Sequence, residues 1–219
     1  MSNVAVILSG CGVFDGAEIH ETCAALLALH RAGAQAVVCA PTGPQMHVIN
    51  HLQGEESAGD TRDILVESAR LARGEITALS EVDLKTIDAV LLPGGFGAAK
   101  NLCNFATAGH ECTAHPEVEH FLRQAHAGGK PLGAMCIAPV ILARVFGDLK
   151  PQLTIGNDQT TADLINQMGA QHVTCDADDI VIDKANSMVT TPAYMRAGNI
   201  GEVFDGAEKM VAKLLALCP

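Results

Sequence analysis

Residues 132–139 read Leu132-Gly133-Ala134-Met135-Cys136-Ile137-Ala138-Pro139. A short apolar run ends at one cysteine, and a helical pattern begins immediately after it. The residues two positions either side of Cys136 are alanines, as a nucleophile elbow requires, because its sharp strand-to-helix turn has no room there for long side chains. Such a turn places the sulfur at a helix N-terminus, where dipole and free N–H groups favour a thiolate. The alternative is a small buried cysteine on a core strand.

On both sides of this stretch, short apolar runs alternate with helical patterns along the chain. The patterns predict strands at residues 4–8, 36–40, 89–92, 132–135 and 153–155, a hairpin of 180–182 with 188–190, and helices at 17–31, 61–72, 116–127, 137–146, 162–168 and 207–217. Apolar strands that alternate with helices indicate an α/β fold with a mostly parallel sheet and helices on both faces.

The domain organisation follows from the absence of repeats and low-complexity linkers. We predict a single domain over residues 1–219, with an insertion at 46–60 that forms a surface hairpin. Thr61 is the predicted N-cap of the helix that follows this insertion.

Composition limits the classes of partner. The chain has 219 residues, 48% hydrophobic and 18% charged, which is ample for a large core. Its net charge of −11, without a basic stripe, argues against a nucleic-acid partner. No apolar run is long enough to span a bilayer, and the first residues lack signal-peptide features, so we expect no membrane partner and a cytoplasmic location.

The cysteines and histidines do not suggest a metal or cofactor site. The cysteines are Cys11, Cys23, Cys39, Cys103, Cys112, Cys136, Cys175 and Cys218. None forms a C-x-x-C pair, so we predict reduced thiols rather than a zinc or thioredoxin-type site. His47 and His51 lack a third ligand, and His20-Glu21 lacks the second histidine of a metalloprotease motif. Cys11, between two glycines, is either a second reactive thiol or a loop-packing residue.

Three loops should meet where parallel strands end, because ligands of open α/β sheets bind beyond the carboxyl ends of the strands. These loops are residues 9–16, residues 93–97 and the elbow. No Lys-Ser/Thr pair of a phosphate loop follows Gly94-Gly95, so an oxyanion hole fits better, with N–H donors from Gly95 and Ile137. The alternative is that the glycines only permit a tight turn.

The first helix carries two candidate acids, Glu18 and Glu21. This helix is apolar nearly all round, so periodicity does not decide which carboxylate faces inward. A buried glutamate would have a raised pKa and could share a proton with a neighbouring sulfur. The alternative for either residue is a first-turn interaction with the helix dipole.

Five segments carry a family resemblance: Ile7-Leu8-Ser9-Gly10-Cys11-Gly12-Val13-Phe14-Asp15-Gly16, Pro93-Gly94-Gly95-Phe96-Gly97-Ala98-Ala99-Lys100-Asn101, Met135-Cys136-Ile137-Ala138-Pro139, Leu153-Thr154-Ile155-Gly156 and Thr190-Thr191-Pro192-Ala193-Tyr194-Met195. The chain resembles the PfpI/ThiJ superfamily, whose fold is similar to class I glutamine amidotransferases, and within it the ElbB-type (enhancing lycopene biosynthesis) glyoxalases. The resemblance implies a flavodoxin-like three-layer sandwich, a homodimer, and glutathione-independent glyoxalase activity without a cofactor.

The resemblance also implies roles for individual residues. Cys136 matches the superfamily nucleophile, and Gly94-Gly95 match its paired glycines. Glu21 matches the acid partner by its register with the end of the helix, so it is preferred over Glu18. Many relatives place histidine directly after the nucleophile, whereas this chain has Ile137, which makes peptidase or amidase chemistry a poor fit.

The sequence therefore favours a glyoxalase III-like lyase that converts glyoxal, or a similar small 2-oxoaldehyde, to glycolate or the matching 2-hydroxy acid. Cys136 would form a hemithioacetal, with Glu21 as acid and base. Two alternatives remain open: a thiol-based oxidative-stress sensor, and an accessory protein that influences isoprenoid biosynthesis without turnover of its own.

Overall fold

The computed structural model describes residues 1–218. Its strands are β1 (Asn3–Ile7), β2 (Gln35–Ala40), β3 (Ile49–Asn50), β4 (Glu55–Glu56), β5 (Thr77–Ala78), β6 (Ala89–Leu92), β7 (Leu132–Met135), β8 (Gln152–Leu153), β9 (Gln171–His172), β10 (Val181–Asp183) and β11 (Met188–Thr191). Its helices are α1 (Ile19–Arg31), α2 (Ile64–Leu71), α3 (Phe96–Lys100), α4 (Phe105–Ala108), α5 (Pro116–Ala127), α6 (Pro139–Phe146), α7 (Gln159–Gln167) and α8 (Ile200–Ala216).

A central sheet runs in the order β10-β11-β7-β6-β1-β2-β5. Every neighbouring pair in it is parallel except the β10–β11 hairpin. All residues of β6, β7 and β11 are buried, which explains why these strands show no polar alternation. The predicted mostly parallel sheet and its terminal hairpin are confirmed.

Apolar layers cover both faces of the sheet. Alternate residues of β1 point to opposite faces, so Ala5 and Ile7 join one layer, while Val4 and Val6 join the other. Helices α5 and α6 pack on the first face, and α1 and α8 on the second. This arrangement confirms the predicted flavodoxin-like three-layer α/β fold.

Several predicted element boundaries are wrong. The strand predicted at 153–155 is β8, which pairs with β9 in a separate two-stranded sheet rather than joining the central one. The helix predicted at 61–72 begins later, because the carboxylate of Asp63, not the hydroxyl of Thr61, caps it by accepting the Val66 N–H at 3.0 Å. The helices predicted at 162–168 and 207–217 begin earlier, at Gln159 and Ile200.

The elbow helix also begins later than the predicted residue 137. Cys136 has φ +61°, a left-handed conformation that cannot continue into a right-handed helix. A short turn follows, and α6 starts at Pro139, which suits the first turn of a helix because proline has no N–H to leave unpaired there.

The insertion at 46–60 forms the predicted hairpin, with β3 and β4 antiparallel. The buried carboxylate of Asp15 fastens it to the loop after β1 by accepting the Ile49 N–H at 2.7 Å. Within residues 1–218, no helix combines the length and apolar character needed to cross a bilayer.

Candidate active site

Cys136 lies at the carboxyl end of β7, at the turn that leads to α6. Its φ of +61° is costly for a residue with a side chain, and such strain is concentrated at functional sites. The Cys136 N–H donates to the carbonyl of Thr191 at 3.0 Å, which ties the elbow to the end of β11. Only 7% of the residue is exposed. The turn therefore aims the sulfur at the end of the sheet while shielding it from bulk water.

Glu21 is fully buried beside this sulfur. Its carboxylate accepts N–H groups from Gly94 at 3.0 Å and Tyr194 at 3.2 Å, and it is hydrogen-bonded to Cys136. Glu18 has a different place: it is the N-cap of α1, and its Oε2 accepts the Glu21 N–H at 2.7 Å. The structure thus brings Glu21, not Glu18, to the sulfur.

Gly94 makes room for the contact between acid and sulfur. A Cβ at this position would lie 2.3 Å from the Cβ of Cys136 and 2.6 Å from Oε2 of Glu21. At Gly95, φ is +91°, and a Cβ would meet the Gly16 carbonyl at 2.4 Å. The paired glycines therefore do more than permit a turn: side chains there would close the site.

The loops predicted to converge do meet at the carboxyl ends of the strands. The Gly97 N–H donates to the Gly16 carbonyl at 2.9 Å, and the Phe96 N–H to the Val13 carbonyl at 2.8 Å. The Glu18 N–H donates to the Gly94 carbonyl at 3.0 Å. These backbone bonds hold the loop after β1 against the glycine loop after β6.

Burial has the largest effect on the pKa values of Glu21 and Cys136. It raises the pKa of Glu21 to about 7, although the hydrogen bond from Cys136 acts in the opposite direction. Burial, followed by the charge of Glu21, raises the pKa of the Cys136 thiol well above its usual range. The backbone N–H groups of Gly95 and Ile137 lower it, but by less. Burial therefore favours the protonated thiol over the expected thiolate in the resting site.

A cavity of about 440 Å³ opens over the sulfur. Its lining residues are Val13, Glu18, Gly95, Phe96, Ala99, Phe105, Ala106, Cys136, Ile137, Asp158, Thr161, Tyr194 and Met195. Most of this wall is apolar. A thiol hydrogen-bonded to a carboxyl, two backbone donors and a shielded cavity together form a site for nucleophilic and acid–base chemistry.

Residues 10–197 match the sequence model of the DJ-1/PfpI family. The chain belongs to the DJ-1/PfpI family. A human protein named "Glutamine amidotransferase-like class 1 domain-containing protein 3, mitochondrial" is 44% identical over 99% of this chain and 83% of its own length. The rat "ES1 protein homolog, mitochondrial" is also 44% identical, over 99% of this chain and 84% of its own.

Solved structures have the same fold. The crystal structure of an Ehrlichia chaffeensis isoprenoid biosynthesis protein with an amidotransferase-like domain has a TM-score of 0.90 and 34% identity, covering 98% of this chain and 99% of that one. A DJ-1 superfamily protein from Salmonella typhimurium shares the fold at a TM-score of 0.61 and 23% identity, over 99% of this chain and 91% of that one.

These comparisons correct the predicted cytoplasmic location. The human, rat and zebrafish relatives are all named mitochondrial, which contradicts that prediction. An acidic chain with reduced thiols suits more than one compartment, so composition could not separate the two.

Two features of this DJ-1/PfpI site differ from a histidine-assisted cysteine hydrolase. Ile137 occupies the position after the nucleophile, and no histidine lines the cavity in the part of the chain that the structure describes. His20 lies nearby, with its Nδ1 2.7 Å from the Tyr194 hydroxyl. Glu21, in contact with Cys136, is therefore the candidate acid–base group of the site.

Sequence reasoning missed Tyr194 as a site residue, together with Asp158, Thr161 and Met195. Two signals pointed to Tyr194: it belongs to one of the segments that carry the family resemblance, and it follows β11, which pairs with the elbow strand β7.

The other candidate residues lie outside the site. Cys11 is half-buried, away from the cavity lining, and burial followed by the charge of Glu67 raises its pKa, which fits a packing role. His51 contacts the loop after β1 through the Phe14 N–H at 3.3 Å. Across residues 1–218, no group of three or more His, Cys, Asp or Glu side chains is arranged to hold a metal ion.

Proposed function

We propose that this DJ-1/PfpI protein is a glyoxalase of the ElbB type, which needs neither glutathione nor a cofactor. It would convert a small 2-oxoaldehyde such as glyoxal to a 2-hydroxy acid such as glycolate. The observation that carries this proposal is the buried hydrogen bond between Glu21 and Cys136, at a site without an imidazole.

The first step is addition of Cys136 sulfur to the aldehyde carbon. The Glu21 carboxylate accepts the thiol proton as the carbon–sulfur bond forms, and then passes it to the new alkoxide oxygen to give a hemithioacetal. The N–H groups of Gly95 and Ile137 stabilise the alkoxide while it carries charge. Because an aldehyde has no leaving group to protonate, this step needs no histidine.

The second step is an internal redox exchange between the two substrate carbons. Glu21 removes the proton from the sulfur-bearing carbon, the hydroxyl proton passes to the neighbouring oxygen, and an enediolate forms. Glu21 then returns its proton to the adjacent carbon, which leaves a 2-hydroxy thioester. A pKa of about 7 suits a group that must both take and give a proton near neutral pH. Water finally cleaves the thioester, releasing the 2-hydroxy acid and the thiol.

The test is to incubate the purified protein with glyoxal and follow glycolate. Cys136→Ser and Glu21→Gln should each lower kcat/KM by at least about 100-fold, the contribution expected of a nucleophile or an acid–base group. Cys23→Ser is the matched control, because Cys23 is an exposed thiol on the same helix as Glu21. Turnover by Cys136→Ser at the parent rate would refute the mechanism.

The sensor alternative has less support, because oxidation proceeds through the thiolate and the pKa of Cys136 is raised. Peroxide treatment followed by mass spectrometry of the Cys136 peptide separates the two functions. Facile oxidation together with negligible glyoxal turnover would favour the sensor.

A role in isoprenoid biosynthesis would rest on the similarity to the Ehrlichia isoprenoid biosynthesis protein. Recovery of an isoprenoid enzyme by affinity co-purification would support it.

We also propose that the chain is a single domain and acts as a homodimer. Light scattering on the purified protein would give its mass in solution. A mass of one chain across the working concentration range would exclude the dimer.

A further inference from the structure

The cavity over Cys136 is much larger than glyoxal. Glyoxal has four heavy atoms and fills at most about 120 Å³ if each atom takes the share of one liquid water, about 30 Å³. The cavity measures about 440 Å³. A substrate that small would leave most of the space to water, which would compete with Cys136 for the aldehyde and weaken the hydrogen bonds in the site.

The walls that surround this extra space are mainly apolar. They are formed by Val13, Phe96, Ala99, Phe105, Ala106, Ile137 and Met195. Phe105 lies on α4 and is almost fully buried, so it is a fixed part of this wall. Ala106, the next residue of α4, and Phe96 are exposed and lie where the cavity opens to solvent. Apolar walls of this size are typical of a site that binds an apolar substituent, because burial of that substituent supplies the binding energy.

The charged groups at the cavity are all acidic. Glu18 and Asp158 line it, and among residues 1–218 no lysine or arginine does so. Asp158 stays ionised, because the Thr161 N–H holds its pKa below the usual range. Sites for phosphate or carboxylate substrates supply cationic donors, so an anionic substrate is disfavoured here. The same charges would repel the 2-hydroxy carboxylate product and promote its release.

We infer that the cavity selects uncharged 2-oxoaldehydes that carry an aromatic or branched apolar substituent, with the substituent against the wall formed by Phe105 and Ala106. This inference rests on the proposed glyoxalase function and specifies its substrate class. Phenylglyoxal is the probe: it takes up one water and yields mandelate and a proton, by the same sequence of hemithioacetal, enediolate and thioester.

The experiment compares kcat/KM for phenylglyoxal, glyoxal and 4-carboxyphenylglyoxal. Phenylglyoxal should exceed glyoxal by at least about tenfold, since even one methylene in an apolar pocket changes the specificity constant by about 10-fold or more. The carboxylated analogue should fall at least about tenfold below phenylglyoxal because of the acidic cavity.

A pair of variants on α4 tests the position of the substituent. Ala106→Phe fills the apolar part of the cavity and should lower the ratio of phenylglyoxal to glyoxal activity by at least about tenfold. Thr107→Phe adds the same ring at the next position, which is exposed and does not line the cavity, and should leave the ratio unchanged.

The outcomes distinguish this inference from the function on which it rests. Two results would overturn the proposed substrate class but not the glyoxalase function. One is a kcat/KM for glyoxal equal to that for phenylglyoxal, and the other is an unchanged ratio of the two activities in Ala106→Phe. Failure of the parent protein to turn over any 2-oxoaldehyde would refute the glyoxalase function itself, and the substrate class with it.

Discussion

Glu21 on α1 and Cys136 at the end of β7 form a buried hydrogen-bonded pair. The contact is possible because Gly94, at the end of the intervening strand β6, has no side chain to separate them. Backbone N–H groups from two further segments, at Gly94 and Tyr194, donate to the same carboxylate. Three strand ends and one helix therefore hold a single proton-sharing pair in place.

Substitution of Gly94 tests this arrangement directly. Gly94→Ala places a methyl group against both Glu21 and Cys136, so the pair must separate. We expect glyoxal turnover to fall by about 100-fold, as for comparable displacements of reacting groups. The free energy of unfolding should fall by about 1–3 kcal/mol from overpacking. Gly198→Ala is the control, since that glycine has an ordinary φ and an open surrounding. Full activity in Gly94→Ala would contradict the geometry.

The pH dependence of activity should follow Glu21. The active form holds one proton shared between Glu21 and Cys136, and below the pKa of Glu21 a second proton removes the base. We therefore expect kcat/KM to rise with pH and to level off above about 7. Below that pH the slope should approach tenfold per unit. A rate that is independent of pH between 5 and 8 would exclude Glu21 as the base.

Glu18 should tune this pH profile without supplying the base. Its negative charge contributes to the raised pKa of Glu21, after burial. Glu18→Gln removes the charge and keeps an oxygen that can accept the Glu21 N–H. The midpoint of the kcat/KM profile should move to lower pH while the profile keeps its shape. Loss of the inflection altogether would instead assign the base to Glu18.

The raised pKa of Glu21 also makes stability depend on pH. The folded protein binds this proton more tightly than the unfolded chain, so its stabilisation is complete below pH 4.5 and is lost as pH rises to about 7. The loss amounts to about 3 kcal/mol. Glu21→Gln has no such proton. Urea unfolding gives the free energy of unfolding of Glu21→Gln and of the parent at each pH. The value for Glu21→Gln minus the value for the parent should rise by about that amount between pH 4.5 and 7. A constant difference would mean that Glu21 is ionised at its ordinary pKa.

Thiol reactivity provides a separate measure of the pair. Because the pKa of Cys136 is raised by burial and by the Glu21 charge, iodoacetamide should label it more slowly at pH 7.5 than the exposed Cys23. Glu21→Gln removes one of these causes and should accelerate labelling of Cys136 while the rate at Cys23 stays constant. Peptide mass spectrometry resolves both rates. Rapid labelling of Cys136 in the parent would indicate a resting thiolate.

Local patterns in the sequence were sufficient for the layers and for the elbow. The buried strands β6 and β7 carry continuous apolar runs, because each of them is covered on both faces. The small neighbours of Cys136 reflect a turn that excludes larger ones. Such constraints act within a few residues of the chain and can be read from it directly.

Boundaries were predicted less well, because competing capping groups decide them. Asp63 rather than Thr61 caps α2, and the left-handed Cys136 delays α6 to Pro139. The short pair β8 and β9 has no periodic signal, so nothing in the chain separated it from the central sheet.

The sequence by itself determined the sandwich, the elbow cysteine and the pair of glycines, since each depends on steric limits that neighbouring residues impose. The choice of Glu21 over Glu18 came from the family resemblance, because helix periodicity left it open. Only the tertiary structure decided that Glu21 is buried against the sulfur and that burial raises the pKa of both groups. It also decided that acidic and apolar side chains surround the pair. The reason is physical: a pKa depends on desolvation and on charges that distant segments bring together, and no local pattern in the chain encodes that sum.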